Sequence, residues 1–134
     1  MTARRARVLV VDDNPSNTKL LAFVLKNGGY EVETAGSAEA GATLLGAFRP
    51  QLILMDLQMP GVSGLNWARQ LKADPATRAI PIDAVTAYAM KGDADRARAA
   101  GCDGYLTKPV NTRTLLDDIA RHLPVEAPDA ADPK

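Results

Sequence analysis

A doubly wound α/β fold, five parallel strands with helices on both faces, is predicted by three observations. Short apolar runs alternate with helix-like segments five times along the 134 residues, the order that builds a parallel sheet through helical crossovers. The central run Leu52-Ile53-Leu54-Met55 shows no polar alternation, as expected of a strand covered on both faces. That run ends in a carboxylate, Asp56, before a turn from Leu57 to Gly61. Desolvating an ionised carboxylate is costly without a partner or a metal, so Asp56 is paired, protonated or functional.

The elements follow in order. Arg7-Val8-Leu9-Val10-Val11 is a short, β-branched first strand that ends in Asp12-Asp13. Asn14-Pro15 starts a helix with a capping side chain and a proline at the first helical position. Leu20, Leu21, Val24 and Leu25 recur at helical spacing, and Gly28-Gly29 stops the helix. Tyr30 to Ala35 alternates as a strand, expected near a sheet edge. Ser37 caps a second helix with Ala40, Leu44, Leu45 and Phe48 on one face, and Arg49-Pro50 ends it. After Ser63-Gly64 a third helix turns Leu65, Ala68 and Leu71 inward, with Trp67 bordering that face, until Asp74-Pro75 breaks it. Ile80 to Thr86 is the fourth strand, and Lys91 to Ala100 an alanine- and arginine-rich helix closed by Gly101. Gly104 to Thr107 is a short fifth strand. A last helix carries Leu115, Leu116, Ile119, Ala120 and Leu123 on one face. Right-handed crossovers limit how these units wind.

One domain, residues 7–123, accounts for this pattern, with 1–6 as a basic arm and 124–134 as a Pro-, Ala- and Asp-rich segment expected to be a disordered tail or the start of a linker. Sixteen basic and sixteen acidic residues cancel, which argues against nucleic acid or an anionic membrane as a direct partner. No apolar run approaches the ~20 residues of a membrane span, and no signal-peptide pattern opens the chain. The single cysteine, Cys102, allows no internal disulfide and fits a reducing compartment. The expected location is the cytoplasm.

Sites in open parallel sheets form beyond the carboxyl ends of the strands. Those ends here bring Asp12 and Asp13, Asp56, Thr86 and the pair Lys108-Pro109. Three close carboxylates cannot all stay ionised without cations. Oxygen ligands beside an open pocket suit Mg²⁺, which keeps several waters. One lysine cannot neutralise three acids, whereas metal and lysine together can. A phosphoryl group completes the set, with oxygens for the metal, the ammonium and the hydroxyl. A carboxylate is an established nucleophile toward phosphoryl groups, and the central one is Asp56. Helix capping would explain Asp12 or Asp13 singly, but not their convergence with Lys108 and Thr86.

Four pieces, Val10-Val11-Asp12-Asp13-Asn14, Leu54-Met55-Asp56-Leu57-Gln58-Met59-Pro60-Gly61, Val85-Thr86-Ala87 and Tyr105-Leu106-Thr107-Lys108-Pro109, together resemble the response-regulator receiver domains of two-component signalling. The run from Ala84 to Asp93 is most similar to stand-alone receivers of the DivK type and to receivers within hybrid kinases. The resemblance implies a CheY-like sheet of order 2-1-3-4-5. It implies that Asp56 takes phosphate from a sensor histidine kinase or a histidine phosphotransfer protein, and that phosphorylation alters binding to a downstream protein. Asp12, Asp13, Asp56 and the backbone carbonyl of Gln58 would ligate Mg²⁺. Lys108 would pair with the phosphate, with the Lys108-Pro109 bond cis. Thr86 and Tyr105 would move together as the switch, repacking the face of the fourth helix, fifth strand and fifth helix. Receivers often dimerise through that face, which makes Arg96, Arg98, Asp117 and Asp118 candidate contacts. Gln58 and Tyr88 would line the path of the attacking water, with an expected acyl-phosphate lifetime longer than seconds.

Two other functions compete. A metal-dependent phosphatase with an aspartyl intermediate would typically carry a second Asp two residues after the nucleophile, where Gln58 stands. A degenerate scaffold receiver would not need the complete acid set. Asp83 departs from the family pattern, which places an aliphatic residue in mid-strand. A buried Asp there needs a partner or a raised pKa. His122 reads as a solvated or capping residue, Cys102 and Trp67 as packed, and Met55 and Met59 as filling.

Overall fold

The computed structural model describes residues 6–57, 64–86, 93–108 and 110–121. Its elements are β1 (Arg7–Val11), α1 (Pro15–Asn27), β2 (Glu31–Ala35), α2 (Ala38–Phe48), β3 (Leu52–Asp56), α3 (Gly64–Ala73), β4 (Ile82–Thr86), α4 (Asp93–Ala99), β5 (Gly104–Thr107) and α5 (Leu115–Ala120). The strands form one parallel sheet in the order β2-β1-β3-β4-β5. No helix among the described residues is long and apolar enough to cross a membrane.

The sheet separates two apolar layers. Leu9, Val11, Ile53, Met55, Ile82 and Ala84 face the layer that includes Trp67, Ala68, Leu71 and Ala97. Val8, Val10, Leu52, Leu54 and Val85 face the one with Leu21, Leu25, Leu115 and Ile119. Alternate residues of each strand therefore serve opposite layers, as the strand period of two requires. The central position of β3 explains its unbroken apolar run, since both faces are covered. Truncating one such leucine to alanine costs about 2–5 kcal/mol, which measures how firmly β3 holds its last residue, Asp56.

The helix ends obey their local chemistry. The Asn14 side chain accepts from the Ser16 and Asn17 amides, with Pro15 at the first helical position, and Ser37 accepts from the Ala40 amide. The buried stripes differ in phase from the expected ones. In α1 the stripe is Thr18, Leu21 and Leu25, and Leu20, one residue off it, stands 48% exposed. In α2 Ala38 and Gly41 are buried and Ala40 is exposed. Gly41 is required by Trp67, whose ring would lie 2.6 Å from an added Cβ. Ala120 also faces out, while Leu115 and Ile119 carry the inward face of α5. β4 begins at Ile82 rather than Ile80, because the preceding residues turn back on α3 through hydrogen bonds to Asp74 and Thr77. Asp83 is buried in the middle of β4, between Leu54 and Gly104 in the register. Leu123, His122 and residues 124–134 lie outside the described residues.

Candidate functional site

Four segments meet at the carboxyl edge of the sheet. β1 delivers Asp12, β3 ends in Asp56, β4 ends in Thr86, and Lys108 follows β5 directly. Parallel pairing sets their heights: Asp56 is level with Val85, and Thr86 with Thr107. Two backbone hydrogen bonds extend the ladder beyond the strands, Leu57 N–H to the Val85 carbonyl at 3.0 Å and Lys108 N–H to the Thr86 carbonyl at 2.7 Å. The second anchors the lysine beside the acids. Gly64 begins α3 against the backbone of Asp56 and Leu57; an added Cβ would stand 2.9 Å from the Leu57 Cα. Only glycine lets the helix come this close to the acid-bearing strand end.

One carboxylate oxygen each from Asp12, Asp13 and Asp56 lies within 4.8 Å of the other two. Asp12 and Asp56 are each 3% exposed, while Asp13 faces solvent. The Lys108 ammonium donates to Asp12 Oδ2 at 2.8 Å and to Asp56 Oδ2 at 3.2 Å. Asp12 also accepts from the Asn14 amide at 2.9 Å and from the Asn17 side-chain amide. Burial pushes the Asp12 carboxyl up, but the hydrogen bonds from Lys108, Asn14 and Asn17 and the Lys108 charge outweigh it, leaving the pKa lowered. Burial pushes the Lys108 ammonium down, and its bonds to Asp12 and Asp56 and their charges reverse this, leaving its pKa raised. The two shifts agree on an ionised pair.

The charges do not balance. Among the described residues three carboxylates lie beside one ammonium. All the acidic donors are oxygens, and the open side is the one where Asp13 lies. That donor set and opening fit a hard divalent cation that retains water, Mg²⁺ above all. Thr86 is buried at the same edge, and Tyr105, half-buried, packs on the layer containing Ala84 and Ala97.

The structure places Asp12, Asp13, Asp56, Thr86 and Lys108 at one edge of the sheet. Gln58, Met59, Tyr88 and Pro109, with the expected carbonyl ligand, water path and cis bond, lie outside the described residues. Two contributors were missed. Asn17 orients Asp12 from one turn into α1; its only sequence signal was an amide placed just beyond the helix cap. In the sequence Gly64 only precedes the third helix, whereas in the structure it is the close approach to Asp56.

A parallel five-stranded sheet of this order with an acid cluster at its carboxyl edge places the chain among the doubly wound α/β proteins, whose sites lie beyond the strand ends. Within that class the chain belongs to the response regulator receiver domain family, whose model matches residues 8–120. It is 44% identical over 117 residues to the polar-differentiation response regulator DivK of Brucella anthropi, covering 87% of this chain and 94% of the relative. Among solved structures it is similar to the chemotaxis protein CheY4 of Vibrio cholerae, with a TM-score of 0.84 and 30% identity, over 90% of this chain and all of that one. It is also similar to the receiver domain of the response regulator Ssk1, crystallised with the histidine phosphotransfer protein Ypd1 of Saccharomyces cerevisiae. There the TM-score is 0.79, with 28% identity over 91% of each chain. The chain is a response regulator receiver of two-component signalling.

Proposed function

We propose that Asp56 is the phosphoacceptor of this receiver and that Asp12, Asp13 and Asp56 hold Mg²⁺ around it. The observation that carries this reading is the shared ammonium. Lys108 bridges Asp12 and Asp56, so the cluster is pre-organised around one cation, with the third carboxylate, Asp13, beside them.

A bound Mg²⁺ supplies positive charge toward the phosphoryl oxygens. This chain's residues do the rest. A carboxylate oxygen of Asp56 forms the new bond to phosphorus as the bond from phosphorus to the donor's imidazole nitrogen breaks, and the imidazole takes up a proton from solvent. Lys108 exchanges its bond to Asp56 for one to the incoming phosphoryl group. Thr86 offers its hydroxyl from the adjacent strand end, and Tyr105 responds by repacking. The donor is a histidine kinase or a phosphotransfer protein, a reading supported by the likeness to the receiver solved with Ypd1. The output is altered docking on a protein partner, not turnover of an external substrate. Homodimerisation through the α4, β5 and α5 face is the accompanying proposal. There Arg98 already pairs with Asp95 and Asp118 with Arg121 within their own helices, so a dimer must exchange these contacts. We place the protein in the cytoplasm, in keeping with its free, buried Cys102.

The test is intact-mass analysis after incubation with acetyl phosphate and MgCl₂. The wild type gains one phosphoryl group, and Asp56→Asn gains none. A phosphorylated Asp56→Asn protein would refute the assignment.

A further inference from the structure

A second cleft lies at the opposite edge of the sheet. Its lining comes from the start of β1, the end of α2 and the segments that precede β3 and β4: Arg7, Leu45, Arg49, Pro50, Thr77 and Ile80 define its walls. Its volume is about 600 Å³, within the range of ligand sites. Among the described residues its lining has two guanidiniums and no carboxylate. Neither arginine forms a salt bridge among the described residues, whereas Arg98 and Arg121 each pair with an acid.

The two arginines are held in place. Arg7 donates from Nε to the Arg49 carbonyl at 2.9 Å, and its amide donates to Gln51 Oε1 at 3.1 Å. That leaves the terminal nitrogens of the Arg7 fork for another acceptor. Arg49 closes α2 with φ of 52°, its N–H donating to the Leu45 carbonyl at 3.0 Å. Glycine or asparagine is usual at such a position, so a larger side chain there carries backbone strain. Buried Pro50 and the partly buried Leu45 and Ile80 supply an apolar wall beside these charges.

We propose that this cleft binds the chain's own acidic segment, residues 122–134. Three things on the chain match it. The first is position. α5 follows β5 from the carboxyl edge, and its Leu116 packs over Gly28 at the end of α1; Arg121 therefore stands toward the amino edge on the face opposite Leu45 and Ile80, and the segment reaches the cleft by crossing that edge. Thirteen residues follow Arg121, and at ~3.1 Å each in an extended polyproline conformation they reach about 40 Å. The second is conformation. Pro124, Pro128 and Pro133 punctuate the segment and favour that extended form over a helix. The third is charge. Glu126, Asp129 and Asp132 recur every third residue. Polyproline conformation has three residues per turn, so the acids form one stripe that can face Arg7 and Arg49, and Leu123 and Val125 are available to the apolar wall. Guanidiniums match carboxylates through paired hydrogen bonds. Because Asp56 lies at the other edge of the sheet, the segment can dock without obstructing phosphate acceptance.

The experiment places a nitroxide on Lys134→Cys in a Cys102→Ala background of the full chain and reads amide intensities by NMR. Docking is expected to remove at least half the intensity of Gly46, Gln51, Ala76 and Thr77. Substituting Arg7→Gln with Arg49→Gln is expected to restore it, and so is the composition-preserving swap Asp129→Ala with Ala130→Asp, which breaks the stripe. A label-free comparison covers the case in which removal of Cys102 perturbs the core. In the otherwise native chain, Glu126→Gln with Asp129→Asn and Asp132→Asn is expected to shift the same cleft amides. Unchanged amides in both measurements overturn the proposal, as does intensity loss centred elsewhere, for example on Lys19 and Phe23. Loss that survives the swap overturns the stripe.

Discussion

Lys72 and Lys108 are the same residue at the same side-chain exposure, 20% each, and they do different work. Lys72 crosses from α3 and donates to the Arg78 carbonyl at 3.2 Å, the Ile80 carbonyl at 2.8 Å and Asp103 Oδ2 at 3.0 Å. Its three donors are all used, and its one charge meets one carboxylate. The same Asp103 oxygen accepts the Ile82 amide at 2.9 Å, so the clamp joins α3, the start of β4 and the turn after α4. Gly101, at φ of 100°, lets that turn pass close to the Lys72 stem. Lys108 meets two buried carboxylates with a third beside them. A saturated, charge-balanced lysine is a finished structural device. An outnumbered lysine marks a site that needs a ligand.

The largest break in this comparison is kinetic. Lys108→Met should slow phosphorylation by acetyl phosphate on the order of a hundredfold, the usual cost of losing one donor aimed at developing charge. Lys72→Met should change that rate less than twofold. Equal losses in stopped assays of phosphoprotein formation would erase the distinction between the two lysines.

The next effect is on stability. Lys72→Met leaves two carbonyls and a carboxylate without their donor, a loss of about 1.5–3 kcal/mol for hydrogen bonds to a charged group, toward the lower end because Asp103 is partly exposed. Urea unfolding measures it. Cys102 reports on the same place, since its thiol is pushed up to about 11 by burial first, with Asp103 adding and Lys72 opposing. Native alkylation at pH 8 is therefore slow; Lys72→Met also removes the cation that opposes the rise, so faster alkylation in that variant reports opening of the turn, and Lys108→Met should leave the rate unchanged. A Lys72→Met protein as stable and as unreactive as the wild type would show the clamp to be idle.

The contrast also explains what could be read from sequence. The acid site was legible because Asp12, Asp56, Thr86 and Lys108 each end a strand or follow one directly, and parallel pairing carries adjacent strand ends to one edge. These four needed no knowledge of helix packing. The clamp and the arginine cleft were not legible. Lys72 reaches Asp103 across 31 positions, from the face of a helix to a turn, and no local pattern encodes that contact. Helix phase failed for a related reason. Leu20 and Leu21 are adjacent apolar residues, and only the neighbouring elements decide which of them is buried; Leu21 packs with Leu25 while Leu20 is left outside. Phe23, 67% exposed, likewise shows that an apolar side chain on an amphipathic helix need not be core.

The smallest effect is the dependence of the Lys108 contribution on pH, measured in metal-free buffer as the stability difference between wild type and Lys108→Met. The folded pKa of Asp12 is lowered from 3.8. Its share of the pair energy is therefore present above 3.8 and is lost as pH falls from there through the folded value. The folded pKa of Lys108 is raised from 10.5. Its share is present below 10.5 and is lost as pH climbs from there through the raised value. The difference between the two proteins should stay flat across the neutral range and narrow at both ends, first below pH 4 on the acid side and only above 10.5 on the alkaline side. A difference that widens with acid would mean that Lys108 repels the folded state more than its carboxylates attract it, and the outnumbered lysine would lose its place at the centre of the site.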